Sequence, residues 1–128
     1  MLKTRAQTNS QAIHQQFLTI KSMADKPKTR YGALCHQVPI MILQNGLMQA
    51  MGFLKGKGED DPEKPETILL THIAKQLTGK SADDFLQKLH QCNVTDYQFL
   101  TRQALESAIW YKRYAESILK VQSGDDEP

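Results

Sequence analysis

Residues 31–54 read YGALCHQVPIMILQNGLMQAMGFL, and no other stretch of the chain holds apolar side chains so densely. From Val38 to Leu54 the only polar side chains are Gln44, Asn45 and Gln49. Such a pattern is typical of a helix that is buried nearly all round, and its length and its Leu, Met and Gln content favour helix over strand. Pro39 lacks a backbone donor, so we expect a kink there and a looser turn near Gly46.

The same stretch is too short and too polar for a membrane span, which needs about 20 apolar residues. With 128 residues, the chain should form one domain. Its first ten residues are mostly polar and lack the apolar core of a signal peptide, so we expect a cytoplasmic protein with no membrane partner. Cys35 and Cys92 suit reduced thiols better than a disulfide framework.

Apolar periodicity predicts a first helix before the central one, with residues recurring at three- and four-residue steps. These residues are Ala6, Ser10, Ile13, Phe17, Ile20 and Ala24. Residues 25–29, which include Pro27, are expected to form a turn into the central helix. Residues 55–66 contain only polar side chains, glycine and proline, and are expected to form an exposed, mobile loop.

Residues typical of helix starts and helix ends predict three or four further helices after this loop. A proline at its start and a glycine at its end suit a helix over residues 65–79. Capping boxes at Ser81 and Thr95 begin the next helices, the first ending near Asn93 and the last reaching Gln122 in one piece or two. With no strand predicted, the fold class is all-α: a compact bundle of about five or six helices around a central kinked apolar helix. We expect one helical domain over residues 1–123 and a disordered acidic tail over 124–128.

Charge is unevenly distributed along the chain. Residues 1–57 carry a net charge of +7 and the remainder −5. A cationic half suits a polyanionic partner, but it also suits a solvated face that keeps the protein soluble, and charge alone leaves both interpretations open.

Residues 74–81, AKQLTGKS, satisfy a relaxed phosphate-loop pattern, which would make the chain a nucleotide-dependent enzyme. Against this, the string has one glycine, and no second parallel strand or magnesium-binding Asp accompanies it. A helix end followed by an N-cap serine explains the same residues. The four histidines, His14, His36, His72 and His90, are widely spaced. We therefore predict no catalytic residue, no metal, no cofactor and no small-molecule substrate.

Residues 110–114, WYKRY, place two cations among three aromatic side chains on the last predicted helix. Aromatic rings can stack on bases while cations hold phosphates. An amphipathic helix also needs aromatic side chains for its core, and the residues alone do not decide between the two roles.

Two blocks of the sequence resemble one known family. The first, within residues 31–55, carries YGAL, VPIMI, QNGL and GFLK. The second, within residues 104–116, carries WYKRYAE and is similar to the closing Trp-x-Lys-Arg-Phe-Ala pattern of that family, with Tyr114 where the family usually has Phe. The chain thus resembles the small helical subunit of the type III-B CRISPR effector, the Cmr complex.

The resemblance implies a non-catalytic subunit of a ribonucleoprotein that acts in antiviral defence. Its expected partners are the other Cmr subunits, copies of itself stacked in a filament, and the guide and target RNA. Contact with the RNA backbone, without sequence specificity, is expected from the matching basic residues Lys55, Lys112 and Arg113. Charge alone adds Lys21, Lys26, Lys28 and Arg30. The alternative is a helical adaptor whose basic half docks an acidic protein and touches no RNA.

Overall fold

The computed structural model describes residues 4–125, and every regular element within that range is an α-helix. The helices are α1 (Arg5–Lys21), α2 (Asp25–Asn45), α3 (Leu47–Gly58), α4 (Pro65–Thr78), α5 (Ala82–Gln91) and α6 (Val94–Ser117). This confirms the all-α fold class and the number of helices expected from the sequence.

The bundle has a middle layer, formed by α2 and α4. On one side of it lie α1 and α6, and on the other side lie α3 and α5. Phe17 of α1 is fully buried where α1, α2 and α6 meet, and its ring lies 5.6 Å from that of Tyr31 and 6.0 Å from that of Tyr111. Large buried aromatic side chains therefore join the middle layer to the α1–α6 side.

The predicted central helix is in fact two helices. Pro39 lies inside α2 without interrupting it, whereas Gly46, with φ of 90° and ψ of 161°, separates α2 from α3. Residues with a side chain rarely adopt that backbone conformation, whereas glycine does, so glycine is suited to the junction between α2 and α3. The predicted turn over residues 25–29 was wrong. α2 begins at Asp25, and Pro27 sits in its first turn, where a missing N–H breaks no helical hydrogen bond.

The prediction that this stretch is buried nearly all round was also wrong. Leu43 is 72% exposed and Ile40 is 56% exposed. Asn45, at the expected looser turn, is exposed as well. The reason is that α3, α4 and α6 cover the other sides of α2, and no helix among residues 4–125 packs over this flank. An apolar surface strip thus runs along the C-terminal half of α2.

Three other boundaries differ from the sequence prediction. α3 continues to Gly58, which is buried against Thr67, so the loop between α3 and α4 is shorter than expected. α6 is capped by Asn93, whose side chain accepts the backbone N–H of Asp96 at 2.8 Å, so the expected cap at Thr95 was wrong. α6 also ends at Ser117, well before Gln122.

After α6 the chain folds back as residues 118–121, which we call the C-terminal strap. Leu119 and Val121 are buried there, 6% and 4% exposed. The Val121 carbonyl hydrogen-bonds a ring nitrogen of His36 at 2.9 Å. Val121 also lies directly over Gly32, where a Cβ atom would come within 2.6 Å of its Cβ. Of the predicted acidic tail, residues 126–128 lie outside the described residues, while Asp125 accepts the backbone N–H of Gln122.

Candidate nucleic-acid interface

The phosphate-loop-like string occupies a junction between two helices. Residues 74–78 are the last turn of α4, Gly79 ends it in the left-handed conformation with φ of 71°, and Ser81 caps α5 by accepting the Asp84 N–H. A phosphate loop follows a strand, and here a helix stands in that position. The helix-cap explanation of these residues therefore agrees with the observed geometry.

Lys80, the lysine of this string, is exposed beside that junction. We expect Lys80→Ala to change the free energy of unfolding by no more than about 0.5 kcal/mol, because surface substitutions away from special features rarely do more. We also expect ATP titration of the wild-type chain to show no saturable binding. Saturable ATP binding that Lys80→Ala abolishes, with an unchanged melting temperature, would restore the phosphate-loop interpretation.

Two of the histidines have polar partners. Nδ1 of His72 lies 2.7 Å from the hydroxyl of Tyr31, and burial lowers the pKa of His72 from 6.5 to about 4. Nδ1 of His36 lies 3.9 Å from the carboxylate of Glu116. Within residues 4–125, no three His, Cys, Asp or Glu side chains form a group that could hold a metal ion. None of the helices in that range is both long and apolar enough to cross a membrane.

Four of the cations predicted from charge lie at one end of the bundle, around the start of α2. Lys21 and Lys26 are exposed, but Lys28 pairs with Asp25 at 3.5 Å and Arg30 pairs with Glu66 at 3.3 Å. The carboxylates at this end are those of Asp25, Glu66 and Asp125, which come from three separate parts of the chain. Asp125 lines the same cleft as Lys26 and Arg30. The surface here is therefore of mixed charge, and not the purely basic surface that the sequence suggested.

Lys55 lies on α3, in the layer opposite to α6. Its ammonium group donates hydrogen bonds to Asp60 and, at 3.0 Å, to Asp83. These two hydrogen bonds, that to Asp60 first, raise the pKa of Lys55. The fold therefore separates Lys55 from the other matching basic residues and surrounds it with acids.

Lys112 and Arg113 are both exposed on α6. Neither forms an ion pair with any residue in the described range, and the Arg113 guanidinium carbon lies 5.4 Å from the centre of the Trp110 ring. Neighbours in a helix point about 100° apart, so the two cations border one strip of surface. Ile109, one turn earlier and 53% exposed, projects between them. Arg102, also exposed, lies on the Arg113 side of α6.

The sequence left open whether the three aromatic side chains of residues 110–114 pack in the core or remain accessible to RNA, and the structure shows both situations. Tyr111 is buried in the core, and its hydroxyl donates to the side chain of Gln16. Trp110 and Tyr114 are half-buried at the edge of the α1–α6 side, with ring centres 5.9 Å apart. The candidate interface is thus the outer face of α6, with cations that form no ion pair within residues 4–125 and two partly exposed rings.

Sequence reasoning missed three features of the structure, namely the C-terminal strap, the ion pairs of Lys55 and the contact of Tyr114 with α1. Most of the contacts involved join residues far apart in the chain, as in the pairing of Lys55 with Asp83, although Asp60 lies close to Lys55 in sequence. Only the burial of Leu119 and Val121 had a local signal, because both are apolar residues beyond the last amphipathic turn.

A family model, a relative by sequence and a solved structure each match most of this chain. A model of the family described as CRISPR-associated protein (Cas_Cmr5) matches residues 5–118. A relative from Thermus thermophilus, named CRISPR system Cmr subunit Cmr5, is 22% identical over 119 residues, 93% of this chain and 99% of the relative. The crystal structure of a CRISPR-associated Cmr5 family protein from the same organism, also 22% identical, has a TM-score of 0.82 over 92% of this chain and 99% of that one. The structural likeness shows a shared fold.

Proposed function

This chain belongs to the CRISPR-associated Cmr5 family, and from that premise we propose that it is the small, non-catalytic subunit of a type III-B CRISPR (Cmr) ribonucleoprotein effector. In this proposal the subunit works in the cytoplasm in antiviral defence, and copies of it stack in a filament beside the other Cmr subunits. It contacts the backbone of the guide and target RNA, while cleavage belongs to other subunits. The name of the Thermus relative supports membership of a Cmr complex.

The observation that carries the RNA contact is the set of unpaired cations on the outer face of α6. Lys112 and Arg113 have no carboxylate partner among the described residues, so phosphate groups would not have to displace one. Phosphate contacts position RNA without reading its sequence, and base pairing with the guide then supplies the specificity. A subunit that only holds the RNA backbone needs accessible cations, and it does not need an acid–base pair for catalysis.

The other predicted RNA-binding residues contribute unequally to the proposal. Lys21 and Lys26 are exposed in the surface of mixed charge at the end of the bundle, where they would add to the RNA contact. Lys28, Arg30 and Lys55 are held by carboxylates, so each would have to exchange a carboxylate for a phosphate. We therefore assign the main RNA contact to α6.

Replacing both Lys112 and Arg113 by Ala tests this assignment. The melting temperature should hardly change, because exposed charges contribute little to stability. RNA affinity of the assembled complex should fall for all sequences alike, and the salt dependence should flatten by nearly one unit of slope per lost contact. The measurement is RNA binding at low and moderate salt by complexes that contain either variant or wild-type subunit.

Lys75→Ala with Lys88→Ala provides a matched control. It removes two exposed cations that also lack ion pairs in the described range, but from α4 and α5. We expect this control to bind RNA as the wild type does. Equal affinity and salt slope for both double variants would overturn the assignment of RNA contact to Lys112 and Arg113.

The adaptor alternative is favoured by one observation, the exposed apolar side chains of α2 and α6. Ile40, Leu43 and Ile109 are all more than half exposed, and apolar side chains mixed with arginine are typical of the centre of a protein interface. Loss of the double variant from the complex, with RNA binding by the remaining subunits intact, would place Lys112 and Arg113 in such an interface.

A further inference from the structure

A row of three aromatic rings lies along the junction of α1 and α6, at the edge of the core. The ring of His14 meets that of Tyr114 edge-on at 5.5 Å, and Tyr114 is followed by Trp110 at 5.9 Å. The guanidinium carbon of Arg113 lies 5.4 Å from the centre of the Trp110 ring. All three rings are partly exposed. Arg113 lies over one face of Trp110, so the ring surface left for a ligand consists of the remaining exposed faces and edges, and it adjoins a cation.

Beside this row is an open cleft with polar walls. His14 and Tyr114 line it together with three side chains of α1 that carry amide or hydroxyl groups. These are Gln7, Ser10 and Gln11. Within α1 the Gln7 side-chain oxygen accepts the Thr4 N–H and the Ser10 hydroxyl donates to the Gln7 carbonyl. The Gln7 amide N–H groups and the Ser10 lone pairs beside the aromatic rings therefore match the two parts of a nucleobase, its hydrogen-bonding edge and its π-face.

Core packing accounts for these rings only in part, because Trp110 and Tyr114 pack against the core and yet remain partly exposed. Tyr111 already fills the core beside Phe17, and Tyr114 touches Phe17 at 5.7 Å while remaining partly exposed. The Tyr114 hydroxyl has no hydrogen-bond partner among residues 4–125, whereas the hydroxyls of Tyr31 and Tyr111 have one each. Tyr114 lines a cleft, and its hydroxyl is available to hydrogen-bond a ligand there.

We propose that an unpaired base of single-stranded RNA binds at this cleft, stacked on Tyr114, which lines it, and on the neighbouring Trp110 just outside it, with Arg113 on the adjoining phosphate. The proposal rests on the proposed function, since it names which part of an RNA the α6 face takes. Stacking needs an unpaired base, so this site should prefer single strands to duplex. Because every base has a π-face, the site should accept all four bases.

Photo-crosslinking in the assembled complex tests the site directly. Single-stranded RNA with 5-iodouridine at successive positions is bound and irradiated, and crosslinked residues are identified by mass spectrometry. We expect crosslinks on this subunit at Trp110, Tyr114 or His14. Crosslinks confined to other residues of the subunit, or none on it, while RNA binding still depends on Lys112 and Arg113, would overturn the base site and leave the proposed function standing.

Affinity measurements on Trp110 variants separate stacking from charge. Trp110→Leu should weaken binding of single-stranded RNA about tenfold, the scale expected for one stacked base, without changing the salt slope. Trp110→Phe should retain most of the affinity. Phe99→Leu is the control, because it removes another exposed ring from α6 and should have no effect. Equal affinity for Trp110→Leu and Phe99→Leu would also overturn the proposal.

Discussion

Deletion of residues 118–128 is expected to lower the free energy of unfolding by about 3–6 kcal/mol, which is the effect of losing two buried apolar side chains. Those side chains are Leu119 and Val121, 6% and 4% exposed in the C-terminal strap. The deletion would also uncover Gly32 and leave the ring nitrogen of His36 without its carbonyl partner. Chemical denaturation monitored by circular dichroism measures the loss.

Deletion of residues 124–128 alone is the matched control, and it tests the expected domain limit at residue 123. We expect no effect on stability, because the removed residues GDDEP include no large apolar side chain that could anchor them. If the two truncated chains unfolded at the same denaturant concentration, the strap would contribute no stability. A large loss from the shorter deletion would instead show that the acidic end is part of the domain.

The second large effect is a loss of stability in acid that depends on His72. The pKa of His72 in the folded chain is lowered by burial to about 4, so between pH 6.5 and 4 the unfolded chain binds a proton that the folded chain does not. Stability therefore falls as the pH drops through that window and is unaffected above it. The difference from 6.5 to about 4 corresponds to on the order of 3 kcal/mol.

His72→Asn is the variant that isolates this effect. Asn has an oxygen that can accept the Tyr31 hydroxyl in place of Nδ1, but it does not titrate. Relative to wild type, the variant should lose less stability between pH 6.5 and 4, although it forgoes the ring contact with Tyr31 at pH 7. Parallel pH dependence of the two proteins would contradict the lowered pKa, and an NMR titration of His72 would decide the value directly.

The fold class could be predicted from the sequence because apolar periodicity and capping residues are local signals. Ile13, Phe17 and Ile20 are buried as predicted, although Ala24 of the same stripe is exposed. Pro27 misled the prediction, since proline signals a turn and a helix start equally well. Leu43 misled it because apolar character does not reveal which sides of a helix have a neighbour.

The candidate site could be predicted only in part. The exposure of Lys112 and Arg113 follows from their place on an amphipathic helix, and the family resemblance that singled them out is confirmed by the family match. The net positive charge of residues 1–57 predicted the exposed cations less well. Arg30 meets Glu66 and Lys55 meets Asp83, pairs 36 and 28 residues apart, so folding joins charges that are separate in the sequence.

Purification of the native complex through a tag on this chain tests the central claim most directly. The tagged chain is recovered at moderate salt, and the proteins and nucleic acid that accompany it are identified by mass spectrometry and sequencing. A small subunit of a type III-B effector should bring down the other Cmr subunits together with guide RNA. Recovery of a protein partner set without guide RNA, at low and moderate salt alike, would contradict this account and favour the adaptor.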